Sequence, residues 1–174
     1  MNDSVIIEPI RKDDHEGLFR LVDKERARLS TYFPVTCSRC SDPRHTRRYI
    51  KEILALSDKR ELFCFLLRDY EGSDPIGAVF LKEFDWSIPK CEIAYFINSI
   101  FEKRGATSLG VMWAVDHAFT NLGVEKVYAR ISPENIGSIK VVENCGFQRE
   151  GLLRRDFRTS KGELLDVYMY SCLR

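Results

Sequence analysis

The chain has 174 residues, 44% of them apolar, which is enough for one domain with a sizeable core, and residues 1–174 are read as that single domain. Its formal net charge is +1 and its Lys and Arg residues are scattered, which excludes a broad electrostatic footprint for nucleic acid. No apolar run approaches the length of a membrane span, and the charged start from Met1 to Glu8 has no long apolar core, so a soluble cytoplasmic protein is expected.

In chain order, Val5 to Ile10 reads as a short strand, followed by a helix with apolar positions Leu18, Leu21, Val22 and Leu29 and the acidic pair Asp13-Asp14 at its start. Tyr32-Phe33-Pro34 stops that helix, and a polar loop from Cys37 to Asp42 leads to a second, from about Pro43 to Ser57. Leu62 to Arg68 and Ile76 to Phe84 are strands joined by the turn residues 71–75, and Lys90 to Ile97 is another strand. Gly105 to Asn121 is a helix with Leu109, Met112, Trp113, Phe119 and Leu122 expected on its buried side. The strand Val127 to Ile131 feeds a short helix at Asn135 that Gly146 is placed to end in a left-handed conformation. Phe147 to Arg158 and Leu164 to Leu173 are strands around a turn at residues 160–163. The order is β-α-α-β-β-β-α-β-α-β-β, an α/β domain without internal repeats.

Of the six cysteines, Cys64, Cys91, Cys145 and Cys172 sit in apolar patterns, where a thiol acts as a small hydrophobe. Cys37 and Cys40 form a C-x-x-C with His45 downstream, but no second ligand pair with zinc-finger spacing follows, so no metal is expected.

The densest set of polar and glycine positions is Asn135-Ile136-Gly137-Ser138, then Gly146-Phe147 and Glu150-Gly151, at the junction of a strand and a helix start. Core packing asks for no such set, and a helix start beside a strand end suits an anion or cofactor. The pattern closely resembles the C-terminal half of the GCN5-related N-acetyltransferases, and most nearly their ribosomal-protein N-terminal acetyltransferase subgroup. The element order agrees over nearly the whole chain. The resemblance implies the acetyltransferase fold, a mixed central sheet of about six to seven strands flanked by about four helices. It also implies acetyl-CoA as donor, a primary amine as acceptor, no metal, and a homodimer, as is frequent in the subgroup.

By position, the resemblance assigns the acetyl-CoA pyrophosphate to the loop Glu102 to Ser108, whose backbone amides at Lys103, Arg104, Gly105, Ala106, Thr107 and Ser108 would converge at a helix start. The family pattern Q/R-x-x-G-x-G/A is only partly kept: Glu102 stands for Gln or Arg, Gly105 is retained, and Thr107 replaces a small residue. Asn135 and Ser138 share one helix face, Asn135 for the pantetheine arm and Ser138 beside the departing thiolate, although a helix cap alone also accounts for Asn135. A tyrosine acid, common on this helix in relatives, is replaced by Val141, Val142 and Asn144. Glu92 matches the acidic position of the subgroup's E-I-G-Y strand and is expected to bind the acceptor and act as base through water; alternation along a strand would equally place a plain polar residue there. An amide at Phe96 or Ile97 would receive the thioester oxygen. Leu29 to Pro34 resembles an L-x-x-W-x-P segment with Tyr32 for Trp, so Tyr32 and Phe33 are expected to border the acceptor groove.

A weak base suits a peptide α-amine with a pKa of about 8 better than a lysine amine near about 10.4. The resemblance makes a protein N-terminal amine, as in ribosomal-protein alanine acetylation, the leading acceptor; the alternative readings are a small-amine enzyme acting on a polyamine, amino sugar or aminoglycoside, a non-catalytic acyl-CoA sensor, and a zinc-binding interaction module built on Cys37, Cys40 and His45.

Overall fold

The computed structural model describes residues 5–70 and 74–174, so the middle of the turn expected at residues 71–75 lies outside the described residues. Strand β1 is Val5–Pro9, and helices α1 (His15–Leu29), α2 (Pro34–Arg39) and α3 (Pro43–Asp58) follow it. Strands β2 (Phe63–Asp69), β3 (Pro75–Asp85) and β4 (Lys90–Ile97) come next, then α4 (Ala106–Thr120), β5 (Lys126–Ile131), α5 (Ile136–Asn144), β6 (Gln148–Arg158) and β7 (Leu164–Leu173). The expected order holds except for α2, a helix of six residues where a loop is expected. Pro34 occupies its first turn, where no N–H is needed, and Arg26 of α1 donates to the carbonyls of Cys37 (2.7 Å) and Cys40 (2.6 Å) at its far end. Helix α3 begins at Pro43 as expected, capped by the Asp42 carboxylate, which accepts the His45 N–H at 2.8 Å.

The strands form one sheet of order β1-β2-β3-β4-β5-β7-β6, antiparallel everywhere except between β4 and β5. Side-chain alternation gives the sheet two buried faces. One carries Cys64, Leu66, Ala78, Phe80 and Phe96 against Leu18, Leu21 and Val22 of α1 and Ile50 and Ile53 of α3, with Cys37 and Cys40 in the same core. The other carries Phe65, Leu67, Val79, Leu81, Ile93, Val127 and Ala129 against α4 and Val142 of α5.

Helix α4 departs from the expected inner face over its first turns, whereas Phe119 and Leu122 pack half-buried against the core as expected. Its buried residues are Ala106, Gly110, Val111, Ala114, Val115 and Ala118, while Leu109, Met112 and Trp113 are exposed. The small side chains allow close approach: a Cβ on Gly110 would stand 2.8 Å from the Leu67 side chain. Because α4 is apolar all round, hydrophobicity alone cannot choose its inner side, and size does.

The pairing of β4 with β5 positions the site. It covers only Lys90 to Glu92 against Lys126 to Tyr128; beyond that point the two parallel strands separate and leave a wedge in the sheet.

Candidate active site

One wall of the wedge is the free edge of β4. Asn98 N–H donates to the Ile76 carbonyl of β3 at 2.7 Å, and antiparallel alternation then turns the Phe96 amide toward β3 and the Tyr95 and Ile97 amides toward the wedge. Of the two amides expected to meet a thioester oxygen, Ile97 faces the opening and Phe96 does not. The Phe96 ring packs instead in the α1 core, 5.1 Å from Phe33 and 6.3 Å from Phe80.

At the end of β4 a short 3₁₀ turn, Ser99–Phe101, leads into the loop before α4. Lys103 (φ 61°) and Gly105 (φ 84°) are left-handed there, which folds the loop back onto the helix start. Among the described residues, no N–H from Lys103 to Ser108 donates to a protein acceptor; the first amide of α4 to do so is Leu109, to Gly105 O at 3.0 Å. Six successive amides and the positive end of a helix of fifteen residues therefore remain available to an anion. Arg104 is stacked 5.3 Å over the Phe101 ring, and the Lys103 side chain is exposed.

The second wall is the start of α5. Asn135 caps it, its Oδ1 accepting the Ser138 N–H at 3.1 Å, which leaves the Nδ2 group as a donor. The Ser138 hydroxyl makes no hydrogen bond among the described residues. Tyr95 of β4 crosses the wedge and donates to the Ser138 carbonyl at 3.1 Å. Burial raises the Tyr95 pKa, so the phenol stays protonated and remains a donor. Gly146, with φ 83°, ends α5 in the left-handed conformation its place in the sequence implies.

Glu92 lies at the closed end of the wedge on the α1 face and is only 5% exposed. Lys82 Nζ donates to it at 2.5 Å and Arg130 donates through Nε (3.1 Å) and Nη2 (2.9 Å). Burial alone would raise its pKa, but Arg130 and Lys82 outweigh burial and hold it below the ordinary carboxylate range. A carboxylate so held anchors an ion pair more readily than it accepts a proton, which weighs against the role of base expected from the strand motif.

Beside this triad a groove of about 330 Å³ opens between β3, β5 and the β6-β7 hairpin, lined by Glu83, Lys90, Lys126, Tyr128, Arg130, Leu153, Asp156 and Met169. Its charges are largely paired internally: Lys126 with Glu150 (2.8 Å), Lys90 with Asp85 (3.7 Å) and Arg130 with Asp156 (3.3 Å) as well as Glu92. Glu83 is the lining carboxylate with no ion pair among the described residues. Burial, reinforced by the nearby Glu92, raises the Tyr128 pKa to about 12.

Tyr32 reaches this side, its ring 6.1 Å from Phe157 of β6, whereas Phe33 is turned into the α1 core. Glu83 and Asp156 escape sequence reasoning because each sits at an irregularity. The β3-β4 register shifts between Lys82 and Asp85, with Glu83 at φ 53°, and the β6-β7 register shifts between Leu153 and Phe157, with Arg155 at φ 55°. Arg130 had a sequence signal, as a charged residue in an otherwise apolar strand pattern. Away from the wedge, His45 Nδ1 is 2.6 Å from Asp42 Oδ2, and no group of three or more His, Cys, Asp or Glu among the described residues could hold a metal.

The sequence profile of the Acetyltransferase (GNAT) domain matches residues 4–148. The chain belongs to the GNAT acetyltransferases. Membership makes it an acetyl-CoA-dependent N-acetyltransferase. The uncharacterized N-acetyltransferase p20 of Bacillus licheniformis is 34% identical over 121 residues, which cover 70% of this chain and 66% of p20. The spermidine N(1)-acetyltransferase of Vibrio cholerae is 30% identical over 82 residues, covering 47% of each protein. The structure of ribosomal-protein-S5-alanine acetyltransferase from Vibrio fischeri superposes with a TM-score of 0.90 at 19% identity, over 97% of this chain and 92% of that one, and shares the fold. The wedge is the candidate donor site, with the Lys103 to Ser108 amides and the start of α5 as the groups that a pyrophosphate and a pantetheine arm would meet. The residues fit that cofactor: convergent amides suit a diphosphate, and a free strand edge suits an extended amide-bearing arm.

Proposed function

We propose that this chain acetylates the α-amine of a protein N-terminus, with donor and acceptor sites both built from this one domain. The observation that carries the proposal is the charge state of the groove. Its carboxylates are matched by neighbouring cations except Glu83, which suits one ammonium group and offers little to a polycation. A polyamine would meet Lys90, Lys126 and Arg130 together with a single unmatched carboxylate. The acid at the wedge, Glu92, is held below the ordinary carboxylate range and is a weak base, and an α-amine with a pKa of about 8 needs little help to become neutral.

In the proposed reaction the neutral amine attacks the thioester carbon, the carbonyl oxygen gains charge beside the Ile97 amide, and the C–S bond then breaks. Ser138 donates a hydrogen bond to the departing thiolate, and Asn135 Nδ2 and the loop amides hold the donor. The amine's proton leaves through water toward the groove, where Asp156 and Glu83 are less tightly held than Glu92. Glu92 keeps Arg130 and Lys82 in place under the acceptor.

A thiol-release assay across N-terminal peptides, spermidine and aminoglycosides tests this. Turnover with peptide N-termini at a kcat/KM at least about tenfold above the small amines supports the proposal. A preference for spermidine would sink it in favour of a small-amine enzyme, and acetyl-CoA binding without thiol release from any amine would mark a sensor.

A further inference from the structure

Glu102 places a carboxylate at the head of the loop whose amides face the pyrophosphate, a charge of the wrong sign for that ligand. The structure answers it with Arg28, from the last turn of α1. Its guanidinium donates through Nη1 to Glu102 at 2.7 Å, through Nε to Glu25 at 2.9 Å and through Nη2 to the Ile97 carbonyl. Glu25 is 5% exposed, and its other oxygen accepts from the Ser99 N–H (3.0 Å) and hydroxyl (2.8 Å). One guanidinium thus joins α1, the end of β4 and the cofactor loop. Arg28 and Glu102 are each 44% exposed, so the pair does little for folding. Their effect on an anion beside them is larger, because an unmatched carboxylate repels phosphate directly.

We propose that Arg28 is a positioning residue for acetyl-CoA: it neutralises Glu102 and fixes the end of β4, so that the Lys103 to Ser108 amides meet the pyrophosphate without a competing negative charge. The inference rests on the reading of those amides as the pyrophosphate site. It also links cofactor binding to α1, the helix that leads into the Tyr32 wall of the acceptor groove.

The test compares two donors, acetyl-CoA and acetyl-pantetheine, which lacks the pyrophosphate, in the wild type, Arg28→Ala, Glu102→Gln and the double variant, with thermal melting alongside. Arg28→Ala is expected to raise the KM for acetyl-CoA roughly ten- to hundredfold, leave the KM for acetyl-pantetheine within about threefold, and change kcat little. Adding Glu102→Gln should recover most of the acetyl-CoA loss. A double variant as impaired as Arg28→Ala, or equal losses for both donors, would overturn the role. Because Arg28→Ala also removes a partner of buried Glu25, Glu102→Gln alone serves if the first variant melts early. It leaves the Glu25 and Ile97 contacts intact and must not raise the KM for acetyl-CoA; a rise refutes the inference. A wild type that saturates with both donors at the same concentration refutes it too, by removing the pyrophosphate reading beneath it.

Discussion

In the proposed reaction Ser138 and Glu83 lie on opposite sides of the reacting bond, and their surroundings separate what each can do. The Ser138 hydroxyl has no hydrogen-bond partner among the described residues while its N–H and C=O are fixed by Asn135 and Tyr95, so the helix start is held and the side chain alone is free to turn. Ser138→Ala should lower kcat by about tenfold, the effect of one lost hydrogen bond to a developing thiolate, with the KM for both substrates nearly unchanged. Equal kcat in stopped-flow thiol release would remove the assignment. Glu83 is exposed, held in a left-handed conformation at a bulge and without an ion-pair partner among the described residues, so its loss disturbs nothing folded. Glu83→Gln should raise the KM for the amine by several-fold to about tenfold while the KM for acetyl-CoA stays put. A shift in the acetyl-CoA KM instead would place Glu83 on the wrong side of the site.

At the level of elements, the wedge depends on how closely β3 supports the end of β4. Gly77 of β3 faces Ile97, and a Cβ there would stand 2.7 Å from the Phe96 carbonyl oxygen, a backbone atom that cannot move alone. Gly77→Ala should destabilise the fold by about 1–3 kcal/mol and raise the KM for acetyl-CoA, because β4 is displaced at the edge that faces the donor. An unchanged melting temperature and KM would show that β4 yields freely. The same elements show what could be read from the sequence. The strand-to-helix junctions at Gly105 and Asn135 were legible because a helix start carries its own chemistry in local residues, caps and left-handed glycines. The inner face of the first turns of α4 was not, since a helix with apolar residues on every side is oriented by the size match of small residues such as Gly110 against Leu67, a long-range fit. Nor were Asp156 and Glu83, whose direction depends on bulges that break alternation. Glu92 was found by position but its pairing was hidden: Arg130 lies on β5 and reaches Glu92 only because the two strands run parallel there.

Across the whole molecule, the buried acids decide how stability responds to pH. Burial works against both Glu25 and Glu92, yet the Ser99 hydrogen bonds and Arg28 for the first, and Arg130 and Lys82 for the second, leave both pKa values lowered in the folded state. A carboxylate whose folded pKa is depressed stabilises the native state above its unfolded pKa, about 4.3 for Glu, and that contribution is lost as pH falls through the folded value. Stability should therefore decline modestly below about pH 6.5, where burial keeps His117 neutral in the fold while the unfolded chain protonates it, and fall more steeply below about 5 as these carboxylates are forced to protonate. Asp74, Asp85 and Glu150 are lowered too, but they lie near solvent, where screening leaves them a smaller share. The Glu92 triad gives the sharper test. Glu92→Gln leaves Lys82 and Arg130 without their buried partner, which should cost about 3–5 kcal/mol at neutral pH, less what Asp156 recovers from Arg130. The variant can no longer lose that contribution on acidification, so its stability must fall less steeply than the wild type's below pH about 5, and the two curves converge. Urea unfolding at several pH values measures both. Parallel curves would mean that Glu92 carries no net charge-pairing energy, and the anchor role given to it here would fail.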